Sequence, residues 1–63
     1  MKFLIVGLGS MGKRRIRNLI SLKAGEIIGF DPSAERCQET EAGLGVATYQ
    51  NFDDAMAEDP DAL

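Results

Sequence analysis

Lys2-Phe3-Leu4-Ile5-Val6-Gly7-Leu8-Gly9-Ser10-Met11-Gly12 decides the fold of this 63-residue chain. Residues 2–6 are an apolar run with β-branched members, which predicts a strand buried on both faces. Gly7 cuts the run off. Beyond the glycine-rich turn, Ile16, Leu19 and Ile20 recur at helical spacing with Gly12 on the same stripe, while Lys13, Arg14 and Arg17 face elsewhere. That pattern predicts an amphipathic helix from about Met11 to Leu22.

Downstream the same alternation repeats. Ala24-Gly25 breaks the helix, and residues 26–31 (EIIGFD) predict a second short strand that stops at Asp31-Pro32. Pro32 suits a first helical position. Ser33 to Ala42 then predicts a second helix, stopped by Gly43 and Gly45. Val46 to Tyr49 predicts a third strand. Asn51-Phe52-Asp53-Asp54 has the form of a capping box and predicts a third helix from Phe52 to about Ala57. Pro60-Asp61-Ala62-Leu63 reads as a turn running into a new apolar segment. Strands alternating with helices over such short connections predict an α/β fold with a parallel sheet, βαβαβα in order. Three strands leave an edge where a fourth should pair. Residues 1–63 are therefore expected to be the N-terminal part of a larger domain.

Size supports that expectation. Mass scaling gives a folded surface of about 4,000 Å² and about 5,900 Å² buried on folding. At ~25 cal/mol/Å² on a mostly apolar area, burial contributes about 90 kcal/mol against about 95 kcal/mol of ordering entropy. Small domains in such near-balance usually add disulfides or a metal. This chain has one cysteine, Cys37, and no histidine, so neither a disulfide nor a cysteine/histidine zinc site can form within it.

An ordinary globular composition, 44% hydrophobic and 27% charged, argues against a disordered chain. No apolar run is long enough to span a membrane and none ends in a cleavage site, so a cytoplasmic protein with no membrane partner is expected. The net charge of −3 divides into +6 over residues 1–23 and −9 over the rest. An acidic total argues against nucleic-acid binding, and the basic N-terminal third suits an anionic ligand such as phosphate.

Gly7-Leu8-Gly9-Ser10-Met11-Gly12 is G-x-G-x-x-G between a predicted strand and a predicted helix, the context in which this pattern signifies dinucleotide binding. Gly7 allows the tight turn, Gly9 lets a pyrophosphate approach the backbone, and Gly12 lets the helix pack closely on the sheet. N–H groups around Ser10 and Met11, at the positive end of the helix, would bind the phosphate oxygens. A purely structural strand-to-helix turn is the competing reading. Asp31 lies 19 residues beyond Gly12, where the pattern expects an acid for the adenosine ribose hydroxyls. Its charge favours NAD over NADP, and its competing role is the N-cap. Arg36 is a candidate for the adenine or for a 2′-phosphate, which keeps NADP open, or else a solvated helix arginine. Arg14, Arg15 and Arg17 include a possible pyrophosphate partner but read more simply as solvated or ion-paired. Cys37 reads as a small core residue. Asp53, Asp54, Glu58, Asp59 and Asp61 read as helix-terminus and surface charge rather than a metal site.

The chain resembles the N-terminal domain of the glucose-fructose oxidoreductase and inositol dehydrogenase family. The resemblance rests on KFLIVGLGSMGKRRIRNL, EIIGFDPSAERCQE and GVATYQNFDDAMAEDPDAL, in the family's order and spacing, and spans the whole chain. It implies a Rossmann-type doubly wound parallel sheet. It also implies an NAD(P)-dependent dehydrogenase acting on sugars, cyclitols or related small molecules, typically oligomeric through a second domain. Gly7, Gly9, Ser10, Met11 and Gly12, with Leu8 between them, match the family's pyrophosphate loop, and Asp31 its ribose ligand. Arg14-Arg15 stands where many members carry histidine. The family's catalytic lysine belongs to a later Glu-Lys-Pro segment, so no catalytic residue is assigned here. GLGSMG also resembles the 3-hydroxyacid dehydrogenases, whose first helix is usually more apolar. A non-catalytic nucleotide-sensing module shares the strand, the glycine loop and the terminal acid.

Overall fold

The computed structural model describes all of residues 1–63. Strand β1 (Lys2–Val6) is followed by α1 (Ser10–Ser21), β2 (Glu26–Phe30), α2 (Ala34–Leu44), β3 (Ala47–Tyr49) and α3 (Phe52–Met56). β2 lies at the centre of the three strands and pairs in parallel with both neighbours. Lys2 aligns with Glu26 and Val6 with Phe30, and Ile28 to Phe30 align with Ala47 to Tyr49. The free edge of β1 carries one more parallel bridge, Phe3 to Ala62, in which Leu4 N–H donates to Ala62 O at 2.9 Å. After α3 the chain has therefore crossed to the far side of β1, and the order of strand segments reverses there.

Both faces of the sheet are covered, as the continuous apolar runs require. On one face Ile5 packs with Leu8, Ile16, Cys37 and Val46, against which Leu19, Ile27 and Leu44 lean. This is the face of α1 and α2. On the other, Leu4 and Ile28 pack with Ala55 of α3, flanked by Phe30 and Tyr49. The edge-to-face pair Phe30 and Phe52, with centroids 5.4 Å apart, closes that side. Helices on opposite faces of a parallel sheet make this the N-terminal portion of a Rossmann-type, doubly wound fold. The surface of 4087 Å² matches the area expected for a compact chain of this mass.

Element boundaries depart from expectation in a few places. α2 starts at Ala34 with Ser33 as N-cap, its side chain accepting from Arg36 N–H at 3.3 Å, so neither Asp31 nor Pro32 opens the helix. The Asp31 carboxylate is engaged elsewhere. α2 also runs through Gly43 to seat Leu44 against the core, and ends at Gly45 in the left-handed conformation at φ 68°. α3 is capped by Asn51, whose Oδ1 accepts from Asp53 N–H and Asp54 N–H, but stops at Met56. No helix is long and apolar enough to cross a membrane.

Candidate dinucleotide site

Gly7 leaves β1 at φ 91°, a backbone that only glycine adopts without strain, and its N–H donates to Phe30 O at 2.8 Å. Leu8 follows with its side chain fully buried, and its N–H donates to Asp31 Oδ2 at 2.9 Å. The chain then turns into α1. Gly12 lies so close to the turn that a Cβ there would sit 1.8 Å from Gly7 O. This contact brings the first turn of α1 down onto the loop. Around Gly9 the situation is opposite, since a Cβ there would meet no protein atom within 4 Å. The space beside Gly9 belongs to a cleft of about 350 Å³ lined by Ile5, Val6, Gly7, Gly9, Met11, Gly12 and Arg15.

The helix end that opens on this cleft carries no cap. The Gly9 N-cap contributes no side-chain hydrogen bond and the first turn of α1 holds no acid. The first helical bond is Lys13 N–H to Gly9 O at 3.0 Å, and no protein acceptor takes the N–H groups of Ser10, Met11 or Gly12. The other two helices are finished differently. Ser33 caps α2 and Glu35 lies in its first turn, while Asn51 caps α3 with Asp53 and Asp54 in its first turn. Free N–H donors and an unneutralised helix dipole suit an anion beside Gly9.

Asp31 follows directly on β2 and is bonded to the loop without lining the cleft. It is 3% exposed, with Oδ2 on Leu8 N–H and Oδ1 on Ser33 N–H at 2.8 Å. The Leu8 hydrogen bond foremost, then that of Ser33, holds its carboxyl below the ordinary carboxylate range; burial opposes them and the neighbouring Arg36 assists. Arg36, whose side chain is 57% exposed, places Nη1 3.5 Å from Asp31 Oδ2. Cys37 is a core residue as expected, its thiol directed to Asp31 O at 3.3 Å.

The sequence-derived residues thus divide into two groups. Gly7, Gly9, Met11 and Gly12 share the cleft, with Met11 largely exposed at its rim. Leu8, Asp31 and Arg36 form a hydrogen-bonded and ionic cluster outside its lining. Ser10 supplies an open N–H at the helix start. Among the three arginines of α1, only Arg15 lines the cleft, and none of them forms an ion pair. Its position one turn beyond Met11 was the available signal for singling it out. Lys13 pairs with Glu39 at 2.9 Å and so ties α1 to α2. The acids of α3 and the following turn form no group able to hold a metal ion.

A family model described as an oxidoreductase family with an NAD-binding Rossmann fold matches residues 1–63. The chain belongs to this family. It is the glucose-fructose oxidoreductase and inositol dehydrogenase type of NAD-binding domain that the three sequence stretches resembled. No curated protein and no solved structure matches the chain. The residues fit the dinucleotide that the family description names: open donors, an open glycine face and a nearby cation surround one cleft at the point where the strand order reverses. Open α/β sheets bind their ligands at such reversal points.

Proposed function

We propose that residues 1–63 form the cofactor-binding part of an oxidoreductase that transfers hydride between a nicotinamide dinucleotide and a sugar, cyclitol or related hydroxy compound. The observation that carries this reading is the uncapped start of α1 facing the open side of Gly9. Ser10, Met11 and Gly12 N–H hold the pyrophosphate, and Arg15 offsets its charge from the cleft wall. Asp31 receives the adenosine ribose hydroxyls, with Arg36 beside it. When bound, the nicotinamide supplies the hydride chemistry. This chain's own residues bind and orient it, and no proton-transfer role is assigned to them. We place the substrate-handling residues outside residues 1–63, in an oligomeric cytoplasmic enzyme.

A carboxylate at the ribose favours a dinucleotide without a 2′-phosphate, so NAD is the preferred cofactor. Calorimetric titration of the full-length protein with NADH and NADPH tests both parts. Tighter binding of NADH is expected. Tighter binding of NADPH would move the 2′-phosphate onto Arg36, and binding of neither would reduce the glycine loop to a structural turn.

A further inference from the structure

We propose that Asp31 is a positioning residue for phosphate binding, its buried carboxylate fixing the glycine loop through Leu8 N–H. This rests on the reading of the loop as a pyrophosphate site, and it adds a role that requires no contact between Asp31 and the ligand.

The loop is gripped at Leu8 from two sides. The Leu8 side chain is fully buried over Gly29 of β2, so closely that a Cβ on Gly29 would lie 2.8 Å from Leu8 Cδ2. The Leu8 N–H meets Asp31 Oδ2 at 2.9 Å. Asp31 is itself immobilised. Its N–H donates to Tyr49 O at 3.1 Å, its carbonyl accepts the Cys37 thiol, and Oδ1 is held by Ser33 N–H at 2.8 Å. With Gly7 N–H bonded to Phe30 O, Gly7 and Leu8 are both tied to the C-terminal end of β2, and the open donors begin immediately beyond them. A buried carboxylate accepting from a backbone N–H is a strong, directional restraint. Removing it would free Leu8 to turn its N–H and let the loop leave the shape that keeps the start of α1 accessible.

The two roles of Asp31 predict different ligand dependence. A group that touches only ribose is invisible to a phosphate ligand without ribose, whereas a group that shapes the loop is felt by both. The test is calorimetric titration of the full-length protein, wild type and Asp31→Asn, with inorganic pyrophosphate and with NADH, together with amide hydrogen exchange at Leu8. Asp31→Asn keeps one acceptor oxygen and so carries the test where Asp31→Ala fails to fold. The expected result is a loss of about tenfold for both ligands, the scale of a charge-assisted hydrogen bond, with faster exchange at Leu8 in a variant that still unfolds cooperatively from a folded state. NADH affinity lost with pyrophosphate affinity unchanged overturns the positioning role and leaves the dinucleotide site standing. Unchanged Leu8 exchange also overturns it. Wild-type protein that binds pyrophosphate but not NADH, with pyrophosphate lost in the variant, supports the positioning role and removes the dinucleotide reading. Wild-type protein that binds neither overturns both.

Discussion

Gly9 and Gly12 stand three residues apart in one motif and meet opposite surroundings. A methyl group at Gly12 would collide with Gly7 O, a backbone atom that yields only if α1 lifts from β1. Gly12→Ala is therefore expected to destabilise the protein by about 1–3 kcal/mol, the usual cost of overpacking, read as a lower midpoint in urea unfolding. Asp31 gives a second expectation. Its folded pKa lies below the unfolded value near 3.9, so the stability it contributes is fully present above that value and is lost as pH falls through the depressed folded value. Unfolding measured between about pH 5 and pH 2 should show a stability loss in wild type that is reduced in Asp31→Asn. At this scale the sequence was legible where chemistry is local. The tight turn at Gly7, the close packing at Gly12 and the core position of Cys37 followed from spacing alone. The Asp31 bond to Leu8 did not, because it joins residues 23 apart in sequence, and only the parallel pairing of β1 with β2 brings them together.

Among the elements, the helix ends divide into one uncapped start, that of α1, and two capped ones. Asn51 serves two N–H groups of a five-residue helix that covers Leu4 and Ile28 through Ala55. Asn51→Ala should cost about 1 kcal/mol, checked by chemical denaturation. Asn51 was readable as a cap because its partners lie two and three residues ahead. The start of α2 was misread for a related reason. Asp31-Pro32 has the form of an N-cap and first turn, but the carboxylate is drawn to Leu8, and Ser33 takes the capping role. Gly43 was misread as a stop because the hydrophobic gain of seating Leu44 in the core outweighs one helical glycine. α1 was read correctly to within a residue at each end, but its missing cap has meaning only beside the two helices that possess one.

For the whole molecule, alternating strands and helices were enough to read a parallel sheet, and the apolar runs were enough to require cover on both faces. Which edge receives the segment after α3 was not readable from pattern. Ala62 pairs with Phe3 on β1 rather than with β3, and this placement makes β1 the reversal point with the glycine loop at its end. The charge division of the sequence is partly joined in space, since Lys2 lies within 3.6 Å of Glu26 and 3.5 Å of Glu58. Arg14, Arg15 and Arg17 remain outside these pairs, and Arg15 brings its charge to the cleft wall. The central claim is that the open face of Gly9 is ligand space, and Gly9→Ala tests it most directly. Gly9 has φ −72°, which alanine adopts freely, and no protein atom stands in the way. The measurement is NADH affinity by calorimetry on wild-type and Gly9→Ala full-length protein, with thermal unfolding of each as the control. The account predicts stability within about 1 kcal/mol of wild type, the scale of an N-cap change. It predicts NADH affinity lower by at least about tenfold, equivalent to ~1.4 kcal/mol. Equal NADH affinity in a folded Gly9→Ala variant would contradict it.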